Sequence, residues 1–275
     1  VNALANYYSK QGIHINRDTC YLNHILTYVK EGKMKGLNNR ILRECGAELK
    51  FYPGLPLFFK QIKELIENDS NYKSCDIRLE HYVVSTGFAE TIQGSAIAPY
   101  VDGIFGCEFI ETPAPSGFIA EYSNSKENEI SQIAIALDNT SKTRYLFEIN
   151  KGSNKFPETI DVNSFIEPEN RRIPLRNMLY IADGPSDVPA FSILNNHQGS
   201  TFAIYPKGDS KAFKQVEQLR KDKRIETFGE ADYSEGTHTW MWLTTRVKEI
   251  ADGILKRHKD TLQKSSSVPP GHLSL

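Results

Sequence analysis

The chain predicts an α/β fold: a three-layer, mostly parallel sheet with a small helical subdomain ahead of it. Three observations carry this. Short aliphatic or β-branched runs alternate with amphipathic stretches along residues 51–262, and such alternation builds a parallel sheet covered by helices. Residues 1–50 carry only helix-period patterns broken by glycines. The length of 275 residues suits one large domain, or a core with an accessory one.

The elements follow in order. Leu22, Ile25, Leu26 and Val29 keep a 3.6-residue spacing, as do Leu37, Ile41 and Leu42, with Gly32, Gly36 and Gly46 as punctuation. Phe51-Tyr52-Pro53-Gly54 opens a helix whose apolar face is Leu57, Phe58, Ile62, Leu65 and Ile66. Residues 81–85 read as a strand, followed by Thr86-Gly87 and a helix from about Phe88. The next strand is 104–110, and residues 118–122 and 132–137 flank a polar stretch that reads as a hairpin. A helix over 142–150 uses Tyr145, Leu146 and Ile149 as its apolar positions, and 152–176 is a polar excursion. Strand 178–182, helix 188–194, strand 201–205, helix 210–219 and an edge strand at 225–228 follow. Trp240, Leu243, Val247, Ile250 and Ile254 mark a long amphipathic helix. The division is therefore a helical subdomain at 1–50, an α/β core at 51–262 and a disordered Ser/Pro/Gly-rich tail at 263–275.

Composition excludes several classes. A net charge of −1 offers no electrostatic case for nucleic acid or an anionic membrane. The four cysteines, Cys20, Cys45, Cys75 and Cys107, form no C-x-x-C pair. That spacing speaks against structural zinc and a disulfide framework, and for a reducing, cytoplasmic compartment. No apolar run approaches the roughly 18 residues of a membrane span. Oligomeric state has no signature in the sequence.

Three places carry chemistry. In Met178-Leu179-Tyr180-Ile181-Ala182-Asp183-Gly184-Pro185-Ser186-Asp187 a strand stops at one carboxylate and a second follows where a helix begins. Two acids at the C-terminal edge of such a strand sit where α/β sheets bind ligands and suit a hard cation. They can equally be a turn with a helix cap. In Val83-Val84-Ser85-Thr86-Gly87-Phe88 a hydroxyl leaves a strand, a glycine permits close backbone approach and a helix start follows. Free N–H groups there would cradle a phosphate, with Ser85 as an added donor; an ordinary strand-to-helix joint is the alternative. Lys142 opens its helix after Asp138-Asn139-Thr140-Ser141. A lysine in a first turn opposes the helix dipole and is better tolerated if it points at an anion. A solvated surface lysine, or Lys151 in its place, fits the pattern as well.

In that order, a hydroxyl after a strand, a lysine at a helix and paired aspartates after a strand, the chain resembles the haloacid dehalogenase-like hydrolases, and most closely their phosphoserine phosphatase-like branch. Tyr52-Pro53-Gly54 before a helix, Val-Val-Ser-Thr-Gly-Phe and Val101-Asp102-Gly103-Ile104-Phe105-Gly106 add to the likeness, which runs from about Phe51 to Pro206. The resemblance implies a Rossmann-like core with residues 1–50 as its helical cap. It implies that Ser85, with the backbone of Thr86 and Gly87, binds the transferring phosphoryl group, and that Lys142 neutralises charge. It implies Mg²⁺ as cofactor, ligated by Asp183, with Asp187 completing or orienting the metal's shell. Those needs match phosphoryl transfer, which asks for positioning and charge neutralisation. Tyr21, Asn23, His24, Tyr28, Arg40 and Arg43 are the expected polar lining of the cap.

The family's attacking aspartate belongs to an Asp-x-Asp pair, and the sequence holds none. Either that strand precedes Val1, which the non-Met start and the helical opening favour, or the chain binds phosphate without turnover. The expected function is a Mg²⁺-dependent phosphatase of a small phosphorylated metabolite through an aspartyl-phosphate, with Ser85, Lys142 and Asp183 as its catalytic residues. The alternative is a regulatory phosphate-binding protein on the same fold. Ala182 stands where the family usually has glycine, a substitution a methyl group can accommodate.

Overall fold

The structure is a computed structural model and describes residues 1–114, 116, 117 and 128–266. In chain order its elements are α1 (Asn2–Ser9), α2 (Arg17–Lys30), α3 (Asn39–Glu44), α4 (Leu57–Glu67), α5 (Ser70–Ser74), β1 (Tyr82–Phe88), α6 (Ala89–Gln93), β2 (Gly103–Ile110), β3 (Gln132–Ile135), α7 (Lys142–Lys151), β4 (Leu179–Ala182), α8 (Val188–Asn196), β5 (Ser200–Tyr205), α9 (Ser210–Lys221), β6 (Thr227–Glu230) and α10 (His238–Ser266). By contacts they group into two units that interleave along the chain: residues 1–51 with 81–172, and residues 52–80 with 173–275.

The first unit holds a sheet of order β1-β2-β3, parallel between β1 and β2 and antiparallel between β2 and β3. Its core joins Leu22 and Val29 of α2 and Leu42 of α3 to Cys107 and Phe109 of β2, Ile130, Leu137 and Tyr145. Two helices of the opening segment, α2 and α3, are each started by a side chain that satisfies free N–H groups. Asn16 Oδ1 accepts from Asp18 and Thr19 at the head of α2, and Asn38 Oδ1 accepts from Ile41 at the head of α3. α3 and α6 meet through glycines, since a Cβ on Gly94 would fall 1.7 Å from the Arg43 carbonyl oxygen.

The second unit holds the all-parallel sheet β4-β5-β6. Strand periodicity assigns the two faces of β4. Leu179 and Ile181 pack with Phe58, Ile62 and Ile66 of α4, Phe202 of β5, and Leu243 and Val247 of α10. Tyr180 and Ala182 pack with Phe191 of α8 and Val216 and Leu219 of α9. Helices therefore cover both faces of this sheet, and β5 is buried from Ser200 to Ile204.

The α/β class and the mainly parallel pairing agree with expectation, but the sheet is two three-stranded sheets. Among the described residues β1 pairs with β2 alone and β4 with β5 alone, so the parallel ladders stop at those strands. The expected edge strand at 225–228 appears as β6, two residues later, and α10 runs through Ser266, into the segment expected to be tail. The rest of that tail, 267–275, and the first arm of the expected hairpin, 118–122, lie outside the described residues; the second arm is β3. No helix among the described residues is long and apolar enough to cross a membrane.

Candidate functional site

Ser85, Thr86 and Gly87, the residues expected to bind phosphate, lie in the first unit, inside a distortion of β1. Val84 faces Phe105 and Phe88 faces Cys107, so four steps along β1 span two along β2. The surplus takes Ser85, Thr86 and Gly87 out of register, and bulges of this kind re-aim side chains beside functional sites. Ser85 Oγ accepts the Gly87 N–H at 3.0 Å. A hydroxyl that accepts in this way keeps its own proton to donate. Gly87 is where close approach matters, because a Cβ there would stand 3.2 Å from Ser85 Oγ. The Gly87 N–H, expected to face a phosphate, is thus given to Ser85. The following helix, α6, has five residues, too short for a strong end dipole.

Lys142 is the first residue of α7 and only 8% exposed. The turn before it is built by Asp138, whose carboxylate accepts from the N–H groups of Thr140 at 2.9 Å and Ser141 at 2.7 Å and from Asn16 Nδ2 at 3.2 Å. The Ser141 N–H, with the neighbouring donors, holds the Asp138 carboxyl below its usual pKa. Asp18 on α2 is close enough to sense both groups. Burial first, and then the Asp138 charge, raise its pKa, while the Lys142 ammonium draws it down. A buried ammonium is costly unless opposite charge compensates it, and Asp18 supplies such charge. α7 packs against β1, the strand of Ser85. Lys151, the rival lysine, donates to the carbonyls of Val162 and Ser164, both at 2.6 Å, and so clamps the following loop.

The helical segment reaches residues 85–87 directly. Tyr21 Oη donates to the Thr86 carbonyl at 2.6 Å, and the Cys107 thiol donates to the same oxygen at 3.3 Å. Burial, reinforced by Cys107, pushes the Tyr21 phenol above its usual pKa, so it stays a donor. Of the other expected lining residues, Arg40 pairs with Glu44, Arg43 with Glu90, and the His24 ring lies 4.4 Å from that of Tyr28.

The two aspartates lie in the second unit. β4 ends at Ala182, Asp183 is exposed, and Asp187 is 3% exposed at the head of α8. Both oxygens of Asp187 are engaged: Tyr180 Oη donates to one at 2.7 Å and Ser186 Oγ to the other at 2.8 Å. Burial and then the two aspartate charges, Asp187 before Asp183, drive the Tyr180 phenol far above its usual pKa. Asp187 is thereby a held carboxylate, and Asp183 is the accessible one.

A protein of Borreliella burgdorferi described as uncharacterized is 38% identical to the chain over 252 residues, which are 90% of this chain and 84% of that protein. The chain belongs to its family. No family model and no solved structure matches the chain.

The residues between β4 and α8 are compatible with Mg²⁺. Asp183 and Asp187 are hard oxygen donors on one short turn, and a magnesium ion that keeps its waters needs only one or two protein carboxylates. Among the described residues no group of three or more His, Cys, Asp or Glu side chains is disposed to hold a metal, so two carboxylates are the most this turn offers. The residues expected to act on phosphate, Ser85, Thr86, Gly87 and Lys142, are brought into one unit, and those expected to hold metal into the other. Tyr180 and Tyr21 were not foreseen in their present roles. A lone tyrosine in an aliphatic strand, three residues before Asp183, is a local signal for the first. Tyr21 has none, because its partner is 65 residues away.

Proposed function

We propose that the protein is a Mg²⁺-dependent phosphomonoesterase of small phosphorylated metabolites, on a three-layer Rossmann-like fold of the haloacid dehalogenase type with residues 1–50 as its cap. The observation that carries this reading is the Ser85 hydroxyl, oriented by the Gly87 N–H in a strand bulge, in the same unit as the buried Lys142. Ser85 would donate to a phosphoryl oxygen, and the Lys142 ammonium would offset the charge that gathers there. Asp183, with Asp187 oriented by Tyr180 and Ser186, would be the residues that hold Mg²⁺. The cap would exclude water and select the leaving group.

The full-length protein should hydrolyse a generic aryl phosphate with Mg²⁺, and Asp183→Asn should lower turnover by about 10²–10³-fold. Unchanged turnover in that variant, or activity indifferent to metal, would sink the reading. The sequence contains no Asp-x-Asp pair, which favours a second one: a phosphate-binding regulatory protein. Thermal stabilisation by Mg²⁺ with phosphate, and no hydrolysis, is its expected signature.

A further inference from the structure

A single peptide plane lies between the helical segment and Ser85. The Thr86–Gly87 carbonyl receives the Tyr21 hydroxyl at 2.6 Å and the Cys107 thiol at 3.3 Å, and the N–H of the same peptide donates to Ser85 Oγ at 3.0 Å. In a trans peptide the C=O and N–H point in opposite directions and turn together about the chain axis. Holding the carbonyl therefore fixes the direction of the N–H, and with it the lone pair Ser85 uses and the direction left for its proton. Cys107 is itself seated by the Leu137 N–H at 3.3 Å. α2, which carries Tyr21, is tied down a second time by Asn16, whose Nδ2 donates to Asp138 in the turn that opens α7 at Lys142. One helix thus braces the segments that carry both Ser85 and Lys142.

We propose that Tyr21 is a positioning residue for phosphate binding, acting through the Thr86–Gly87 peptide on the Ser85 hydroxyl. It rests on the reading of Ser85 as a phosphate donor. A hydroxyl contributed by the helical segment couples the placement of that segment to the readiness of the loop. Phosphate binding then depends on α2 although α2 itself touches no phosphate.

The test is a double-mutant cycle on the full-length protein, with inorganic phosphate as the probe, Mg²⁺ present and calorimetry as readout. Tyr21→Phe removes only the hydroxyl and should weaken phosphate binding about five- to tenfold, the effect of one lost hydrogen bond. Ser85→Ala should weaken it at least as much. The double variant should bind no more weakly than Ser85→Ala alone, since Tyr21 acts through Ser85. A general loss of structure would not give that non-additivity. Additive losses, or unchanged binding in Tyr21→Phe beside a weakened Ser85→Ala, would overturn the positioning role and leave the phosphate site standing. Unchanged binding in Ser85→Ala, or no binding by the unsubstituted protein, would overturn the reading of the loop and the proposal with it.

Discussion

Asp183 and Asp187 stand four residues apart and should respond differently to substitution. Asp183 is exposed, so Asp183→Asn should change stability by less than about 0.5 kcal/mol even where it removes activity. Tyr180→Phe takes one of two hydroxyl donors from Asp187, a carboxylate only 3% exposed. Leaving such a group short of a donor costs about 1–3 kcal/mol, which urea denaturation would register as a lower midpoint at unchanged slope. Asp18 gives a test in pH. Its folded pKa is raised, mainly by burial, above the ordinary 3.8. Its contribution is therefore fully present below about pH 4 and is lost as pH rises through the raised value. Asp18→Asn should gain stability relative to the unsubstituted protein as pH climbs from 3 to 7, by less than about 1 kcal/mol for a partly solvated group. A thermal-unfolding difference independent of pH, or of the opposite slope, would contradict the shift.

At the scale of elements, the packing of α3 on α6 depends on the absence of side chains. A Cβ at Gly94 would meet the Arg43 carbonyl oxygen at 1.7 Å, and one at Gly46 would meet the Thr91 carbonyl oxygen at 2.2 Å. Backbone cannot yield as a flexible side chain would. Gly94→Ala should then destabilise by about 1–3 kcal/mol or more, although alanine is the better helix former; an unchanged melting temperature would refute the close contact. The same elements show what periodicity can reveal. α2, α4, α7 and α10 were legible because their apolar residues recur at helical spacing, and β4 and β5 because short apolar runs end at turn residues. Register is another matter. The bulge that re-aims Ser85 exists only relative to β2, so nothing within residues 82–88 announces it. For the candidate site, the identity and order of Ser85, Lys142, Asp183 and Asp187 were legible as chemistry. Of their holders, Ser141 for the turn before Lys142 and Tyr180 for Asp187 are near in sequence, while Tyr21 for residues 85–87 and Asn16 for that turn come from tertiary proximity.

At the scale of the molecule, the chain passes between its two units at residues 51/52, 80/81 and 172/173. Each unit nevertheless has cores of its own. The cluster around Leu22, Cys107 and Tyr145 draws only on residues 1–51 and 81–172, and those around Phe202 and Phe191 only on 52–80 and 173–275. A fragment ending at Arg172 keeps every residue of the first core. It also keeps α4 and α5 while losing their packing partners, Phe202 and Leu243 among them. Phe58, Ile62, Ile66 and Tyr72, all buried in the whole protein, would then form an exposed apolar stripe of the kind that drives association. Residues 1–172 should therefore fold in part, bind a hydrophobic dye and self-associate. The same fragment with 52–80 replaced by a flexible Gly/Ser linker should be monomeric, helical and cooperatively unfolding. Size-exclusion chromatography with circular dichroism separates the outcomes. If the linker form fails to fold while the unmodified fragment is monomeric, the first core depends on 52–80 after all, and the interleaved chain holds one cooperative unit in place of two.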